Sequence, residues 1–119
     1  MGDVIYKVLR ADEWQQASAE TIYDGSTDDR RDGFIHFSTQ AQLEGTLNKY
    51  YRGEKHVNIF AFSAKDFSAD SLRWEPSRGD DLFPHLYGSL NLKQAKEHWT
   101  ADIPTKGDID LLFLSEVAQ

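Results

Sequence analysis

Two segments of the chain set histidines into strand-like sequence: Gly33-Phe34-Ile35-His36-Phe37-Ser38-Thr39 and Phe83-Pro84-His85-Leu86-Tyr87-Gly88-Ser89-Leu90. Side chains of a strand alternate between its two faces. His36 and Ser38 therefore share a face with Phe34, while Ile35 and Phe37 turn the other way. In the second segment His85, Tyr87 and Ser89 fall together, opposite Leu86 and Leu90. Two strands that each bury an aliphatic face and carry imidazoles on the other can line a polar cleft. An imidazole donates, accepts or transfers protons near neutral pH, which suits His36 to act as acid, base or anchor for a ligand hydroxyl. Ser38 extends the same polar face. Tyr87 offers a flat ring with a hydroxyl at its tip, Pro84 stiffens the approach, and Gly88 leaves room for a ligand near the backbone. The structural alternative is a satisfied His36 packed by Phe34, and an edge strand whose His85 is solvated and whose Tyr87 anchors the rim.

A third segment, Leu72-Arg73-Trp74-Glu75, puts Leu72 and Trp74 on one face and Arg73 and Glu75 on the other. Glu75 is the carboxylate available to orient an imidazole or a ribose hydroxyl. His56 and His98 lie near element ends and read as surface groups. Asp28, Asp29 and Asp32 lack the alternating ligands, central glycine and terminal glutamate of a calcium-binding loop, so they read as turn and loop carboxylates. The chain has no His-Glu-x-x-His zinc pattern, phosphate loop, dinucleotide glycine loop or nucleophile elbow, and no metal is expected.

These residues must be positioned by a single domain, since 119 residues support one modest core. A hydrophobic fraction of 39% with 3 Trp, 5 Tyr and 7 Phe argues against disorder. The net charge of -7 leaves no basic stripe for a broad nucleic-acid surface and disfavours anionic membranes. It still permits a local positive spot from Arg30 and Arg31, or from Arg73 and Arg78, for one small anion. Without cysteine there is no disulfide, thiol nucleophile or thiolate metal site, which fits a cytoplasmic location. No apolar run approaches the roughly 20 residues of a membrane span, and the first residues do not read as a signal peptide or myristoylation site.

Along the chain, Val4 to Leu9 reads as a strand, and a helix starts at Ala11 with Asp12 as cap and Gln15 closing the box. That helix ends near Ala19 or Glu20. Tyr23 to Gly33 reads as a polar loop. Thr39 and Gln42 cap a second helix with Leu43, Leu47 and Tyr50 or Tyr51 as its buried stripe, and Gly53 ends it. His56 to Phe62 is a central strand with Val57, Ile59 and Ala61 facing one way and Phe60 and Phe62 the other. A helical turn over Ala64 to Phe67, a strand around Leu72 to Trp74, a loop from Glu75 to Asp81, a short helix over Leu92 to His98, an irregular stretch from Thr100 to Asp108 and a final strand over Ile109 to Leu114 complete the reading. Both longer helices fall in the first half, so the expected class is α+β with a mixed, strongly curved or split sheet and two main helices.

The blocks Ile5-Tyr6-Lys7-Val8, Asp32 to Thr39, Leu72 to Glu75 and Phe83 to Gly88 resemble, in order, the DUF952 family of small bacterial proteins, over about residues 3 to 115. That resemblance implies a fold similar to the ADP-ribosyltransferase superfamily, in which a cleft holds nicotinamide and ribose. It assigns ribose contact to His36 and nicotinamide stacking to Tyr87. The late glutamate of that pattern has no good counterpart: Glu75 precedes Tyr87, and Glu97 and Glu116 lie in or beyond less suitable elements. The implied function is binding of NAD or an ADP-ribose-like nucleotide by His36, Ser38, Arg73, Trp74, His85 and Tyr87, with transfer or hydrolysis of ADP-ribose resting on His36 and Glu75. One alternative is a non-enzymatic module for a small ligand or a protein. The other is RNA 2'-phosphotransferase-like chemistry, in which His36, His85 and Arg73 would hold a phosphate.

Overall fold

The computed structural model describes residues 3–111, 113 and 114, with the backbone alone for Arg78. Strand β1 (Val4–Arg10) pairs antiparallel along its whole length with β5 (His56–Ser63). Strand β9 (Glu97–Asp102) continues the sheet beyond β5, and β4 (Ser38–Thr39) adds a short edge beside Ile5 and Tyr6 of β1. The resulting order is β4-β1-β5-β9. A second sheet runs β3-β7-β6, from β3 (Ile35–His36), β7 (Leu82–Leu86) and β6 (Leu72–Pro76). A ribbon of β2 (Ile22–Tyr23) and β8 (Leu90–Asn91) completes the strands.

Alternation along β1 and β5 builds a core on each side of the four-stranded sheet. Ile5 and Leu9 join Phe60 and Phe62 on one side, where Ile35 and Leu86 of the second sheet and Phe37, between β3 and β4, pack against them. Tyr6 and Val8 join Val57, Ile59 and Ala61 on the other, covered by Leu43 and Leu47 of helix α3 (Gln40–Tyr50). The capping box of α3 is formed by Thr39 and Gln42, as its sequence indicates. Tyr51 is the buried member of the tyrosine pair, and Tyr50 is exposed.

Several expectations are corrected. The sheet is neither mixed nor strongly curved, and the architecture is not that of an ADP-ribosyltransferase. Every pairing is antiparallel, the strands form three open sheets, and there are three α-helices among the described residues. The physical reason lies at Phe37. Its backbone N–H donates to Pro84 O at 3.0 Å, and the chain there leaves the sheet of β3 for that of β4, so the two sheets are separate. The supposed polar loop contains helix α2 (Thr27–Asp32), whose caps are Ser26 and Gly33. The first helix, α1 (Ala11–Glu20), is capped at Arg10, whose N–H donates to Glu13 rather than relying on Asp12. The expected helix over Leu92 to His98 is one tight turn, Leu92–Gln94; the Lys96 N–H then donates to Ala61 O and β9 follows. Ile109 to Leu111 carry no strand pairing, although Ile109 and Leu114 are buried; Leu112 and Glu116 lie outside the described residues.

Gly25 shows how tightly α2 is seated. Its φ is 111°, and a Cβ there would stand 2.7 Å from the Cβ of Asp29. Gly25→Ala is expected to cost about 1–3 kcal/mol in urea unfolding, from backbone strain and displacement of Asp29. Gly53→Ala, which meets nothing within 4 Å, is expected to leave the midpoint nearly unchanged.

Candidate functional site

Strand register, not proximity in sequence, assembles the site. His36 of β3 lies opposite His85 of β7, and His85 lies opposite Arg73 of β6, so one row crosses the sheet as His36, His85, Arg73. The adjacent row, Ile35, Leu86 and Leu72, takes the opposite face and is buried in the core. The two imidazoles meet edge to face with ring centroids 5.4 Å apart, and both line one cleft of about 180 Å³. Phe34 stacks on His85 at 4.0 Å and leans against His36 at 4.6 Å.

The cleft opens where β4 stops beside β1. The β4 ladder covers only Ile5 and Tyr6, and the next part of β1 borders the opening through Lys7, Val8 and Arg10. Helix α2 forms another wall. Ser26 and Asp29 cap each other: Asp29 N–H donates to Ser26 Oγ at 3.1 Å, and Ser26 N–H donates to Asp29 Oδ2 at 2.9 Å. Asp29 and Asp32 stand three positions apart on this helix and so share a face. The His36 ring sits between them, Nδ1 at 2.6 Å from Asp29 Oδ1 and Nε2 at 3.0 Å from Asp32 Oδ2.

Asp29 is 2% exposed and also accepts from Lys7 Nζ at 2.9 Å and from the His36 N–H at 3.1 Å. Burial alone would push its carboxyl upward, but the His36 hydrogen bond and the Lys7 ammonium outweigh it and hold the group well below the usual carboxylate range. Lys7 in turn donates to His36 O at 3.0 Å. Lys7, Asp29 and Asp32 were not marked by the sequence as candidate site residues. The signal for α2 was the pair Ser26 and Asp29 followed by Gly33, a capping box with Asp in the position usually held by Glu or Gln.

His85 has its own carboxylate. Its Nδ1 lies 2.8 Å from Glu75 Oε1, and Tyr87 donates its hydroxyl to the same oxygen at 2.7 Å. Burial pushes the His85 imidazole below its ordinary value despite the Glu75 bond, and the neighbouring His36 acts in the same direction. Its other nitrogen, Nε2, is buried without a partner among the described residues; so is the Tyr6 hydroxyl, on another residue bordering the cleft. The bonds from His85 and Tyr87 lower the Glu75 carboxyl.

Of the other expected site residues, Ser38 lines the cleft, but its hydroxyl pairs with Thr46 Oγ1 at 2.8 Å. Arg73 turns away to donate to Asp70 O at 3.1 Å, with its guanidinium 4.8 Å above the Tyr87 ring. Trp74 pairs with Pro84 on the other face of the sheet and is 38% exposed. His98 is exposed, as its sequence position indicates, with its ring stacked on Phe60 at 4.1 Å and Nε2 2.9 Å from Asn58 Oδ1, away from this cleft. Among the described residues no group of three or more His, Asp or Glu is arranged to hold a metal ion, and no helix is long and apolar enough to cross a membrane.

Fold and site define a small α+β protein with an imidazole–carboxylate cleft between its two larger sheets. The model of the family described as "Protein of unknown function (DUF952)" matches residues 8–98, and the chain belongs to that family. It is similar to protein CC0527 from Caulobacter crescentus, with 34% identity over 96% of this chain and 99% of that chain and a TM-score of 0.86 to the crystal structure. A crystal structure of a doubly substituted form gives 0.87, and the solution NMR structure gives 0.79 over 94% of this chain and 95% of that one. No curated protein matches the chain. The resemblance to DUF952 thus stands, whereas the expected kinship with ADP-ribosyltransferases finds no support in these matches.

Two histidines, the buried His85 and the more exposed His98 packed on Phe60, set a pH dependence. Desolvation lowers His85 and His98 in the folded protein. The unfolded chain therefore binds protons first, and stability is full above the unfolded value of about 6.5 and falls as pH drops toward the folded values. Asp29, also lowered, adds a second loss below about pH 3.9. Urea midpoints are expected to fall between about pH 7 and about pH 5, with a shallower slope in His98→Gln; a flat profile contradicts the assignment.

Proposed function

We propose that the cleft binds a small hydroxyl-rich molecule, a sugar ring that is free or is the ribose of a nucleotide, and that His36 exchanges a proton with it. The observation that carries this reading is the pairing of His36 and His85 in one cleft, each held by a carboxylate, with one buried imidazole nitrogen left open. Charge supports a neutral ligand. Lys7, Arg10 and Arg31 line the cleft beside Asp28, Asp29 and Asp32, so a polyanion gains no net attraction there. Size supports a single ring, because about 180 Å³ is below the roughly 300–1,000 Å³ of sites for drug-sized ligands.

Of NAD or an ADP-ribose-like nucleotide, the ribose is the part these residues fit. The Tyr87 ring lies under Arg73 and its hydroxyl is given to Glu75, so the geometry lends no support to a nicotinamide stack. Trp74 stands on the far face. The phosphate cluster of a 2'-phosphotransferase gains nothing from Arg73, which is turned to Asp70. One observation favours a non-enzymatic binding module: both nitrogens of His36 already face carboxylates, at 2.6 and 3.0 Å.

Backbone amide spectra recorded with millimolar D-ribose, ADP-ribose and NAD test the reading. D-ribose and ADP-ribose are expected to shift the resonances of residues 34–38, 83 and 85–87. His36→Asn is expected to weaken that binding about tenfold, the loss of one good hydrogen bond. Unchanged resonances at both histidine segments with all three compounds overturn it.

A further inference from the structure

The two imidazoles of the cleft are set up for opposite halves of one proton transfer. Glu75 carries acceptor oxygens, so its contact with His85 Nδ1 places the ring proton there and leaves Nε2 as a lone pair. That lone pair is buried and unpartnered among the described residues. Leaving a buried acceptor open is costly, which asks for a donor from outside the chain. His36 faces acceptors on both sides, Asp29 Oδ1 and Asp32 Oδ2, so the form of the ring that carries a proton on Nε2 donates it toward Asp32. The Asp29 side is buried, whereas Asp32 is on the open side, with about a third of its side chain exposed. The Asp32 contact is thus the one that a ligand oxygen can replace. One lone pair and one N–H stand on rings whose centroids are 5.4 Å apart, within reach of two neighbouring oxygens of a single sugar ring.

We propose that this pair opens and recloses the ring of a free reducing sugar, so that the substrate class is an aldose and the reaction is interconversion of its anomers. His85 Nε2 takes the proton of the anomeric hydroxyl, and the freed electron pair forms the C1=O bond. The bond from C1 to the ring oxygen breaks onto that oxygen, which takes the proton from His36 Nε2. Rotation about C1–C2 turns the aldehyde over. Reclosure returns one proton from the sugar hydroxyl to His36 and passes the other from His85 to the new anomeric oxygen. Protons and electrons balance over the cycle. The inference rests on the reading that the cleft takes a sugar ring, and adds the reaction to it.

Exchange NMR on D-ribose, D-glucose and D-galactose labelled at C1 measures anomer interconversion directly. The wild type is expected to accelerate it about a hundredfold over buffer for at least one of the three, the scale of a positioned acid–base pair. His36→Gln and His85→Gln are each expected to return the rate nearly to that of buffer. His98→Gln, which alters the ring stacked on Phe60 outside the cleft, is expected to keep the wild-type rate. Should His85→Gln fail to fold, long-range proton–nitrogen correlation on the wild type supplies the second readout. His85 Nε2 must then appear unprotonated in the free protein and shift when the sugar is added. Sugar binding with exchange at the buffer rate overturns the reaction and leaves the binding reading intact; absence of binding removes both. A protonated His85 Nε2 in the free protein also overturns the proposal.

Discussion

One carboxylate organises the site and much of the fold around it. Asp29 receives four donors: Lys7 Nζ and the Ser26 N–H on one oxygen, the His36 N–H and His36 Nδ1 on the other. These contacts tie the core-facing side of β1, the start of α2 and the strand β3 to one buried point. The arrangement answers a problem created by the sequence itself. Lys7 falls between Ile5 and Leu9 on the side of β1 that faces the first core cluster, where a lone ammonium is very costly. Asp29 neutralises that charge, and the helix carrying it is then committed to lie beside His36.

The second constraint is register. Because β3 pairs with β7 and β7 with β6, residues from three distant segments form one row, and shifting any strand by one residue would send its imidazole or carboxylate to the core face. Ile35, Leu86 and Leu72 hold that register by being buried on the opposite side. The polar row therefore depends on the apolar row beneath it. Each histidine is also backed by its own carboxylate, Asp29 for His36 and Glu75 for His85, so the two rings are fixed from opposite ends of the row.

Much of this was legible in the sequence. Period-two alternation correctly set Ile35 and Phe37 in the core and His36 away from it, and the Thr39–Gln42 box marked the start of α3. Alternation in His56 to Phe62 likewise matched the two-sided core. Other features were not legible because they depend on long-range pairing. Nothing local says that the chain changes sheets at Phe37, a step secured by the carbonyl of Pro84. Helix α2 has only six residues and no apolar stripe, so its polar composition reads as loop although its caps are present. Trp74 shares the face of Leu72 as expected, but that face leads away from the histidines. The apolar run at Ile109 buries side chains without joining a ladder, and alternation alone does not distinguish these outcomes.

The claim that Asp29 is the organising group is tested most directly by a double-mutant cycle with Lys7, read from urea unfolding at neutral pH. Asp29→Asn alone is expected to cost about 3–5 kcal/mol, because Lys7 is left buried without its counter-charge. Lys7→Met in the same background is expected to restore a substantial part of that loss, giving a coupling energy of about 1–3 kcal/mol. Strictly additive losses, or an Asp29→Asn protein as stable as the wild type, would contradict the account.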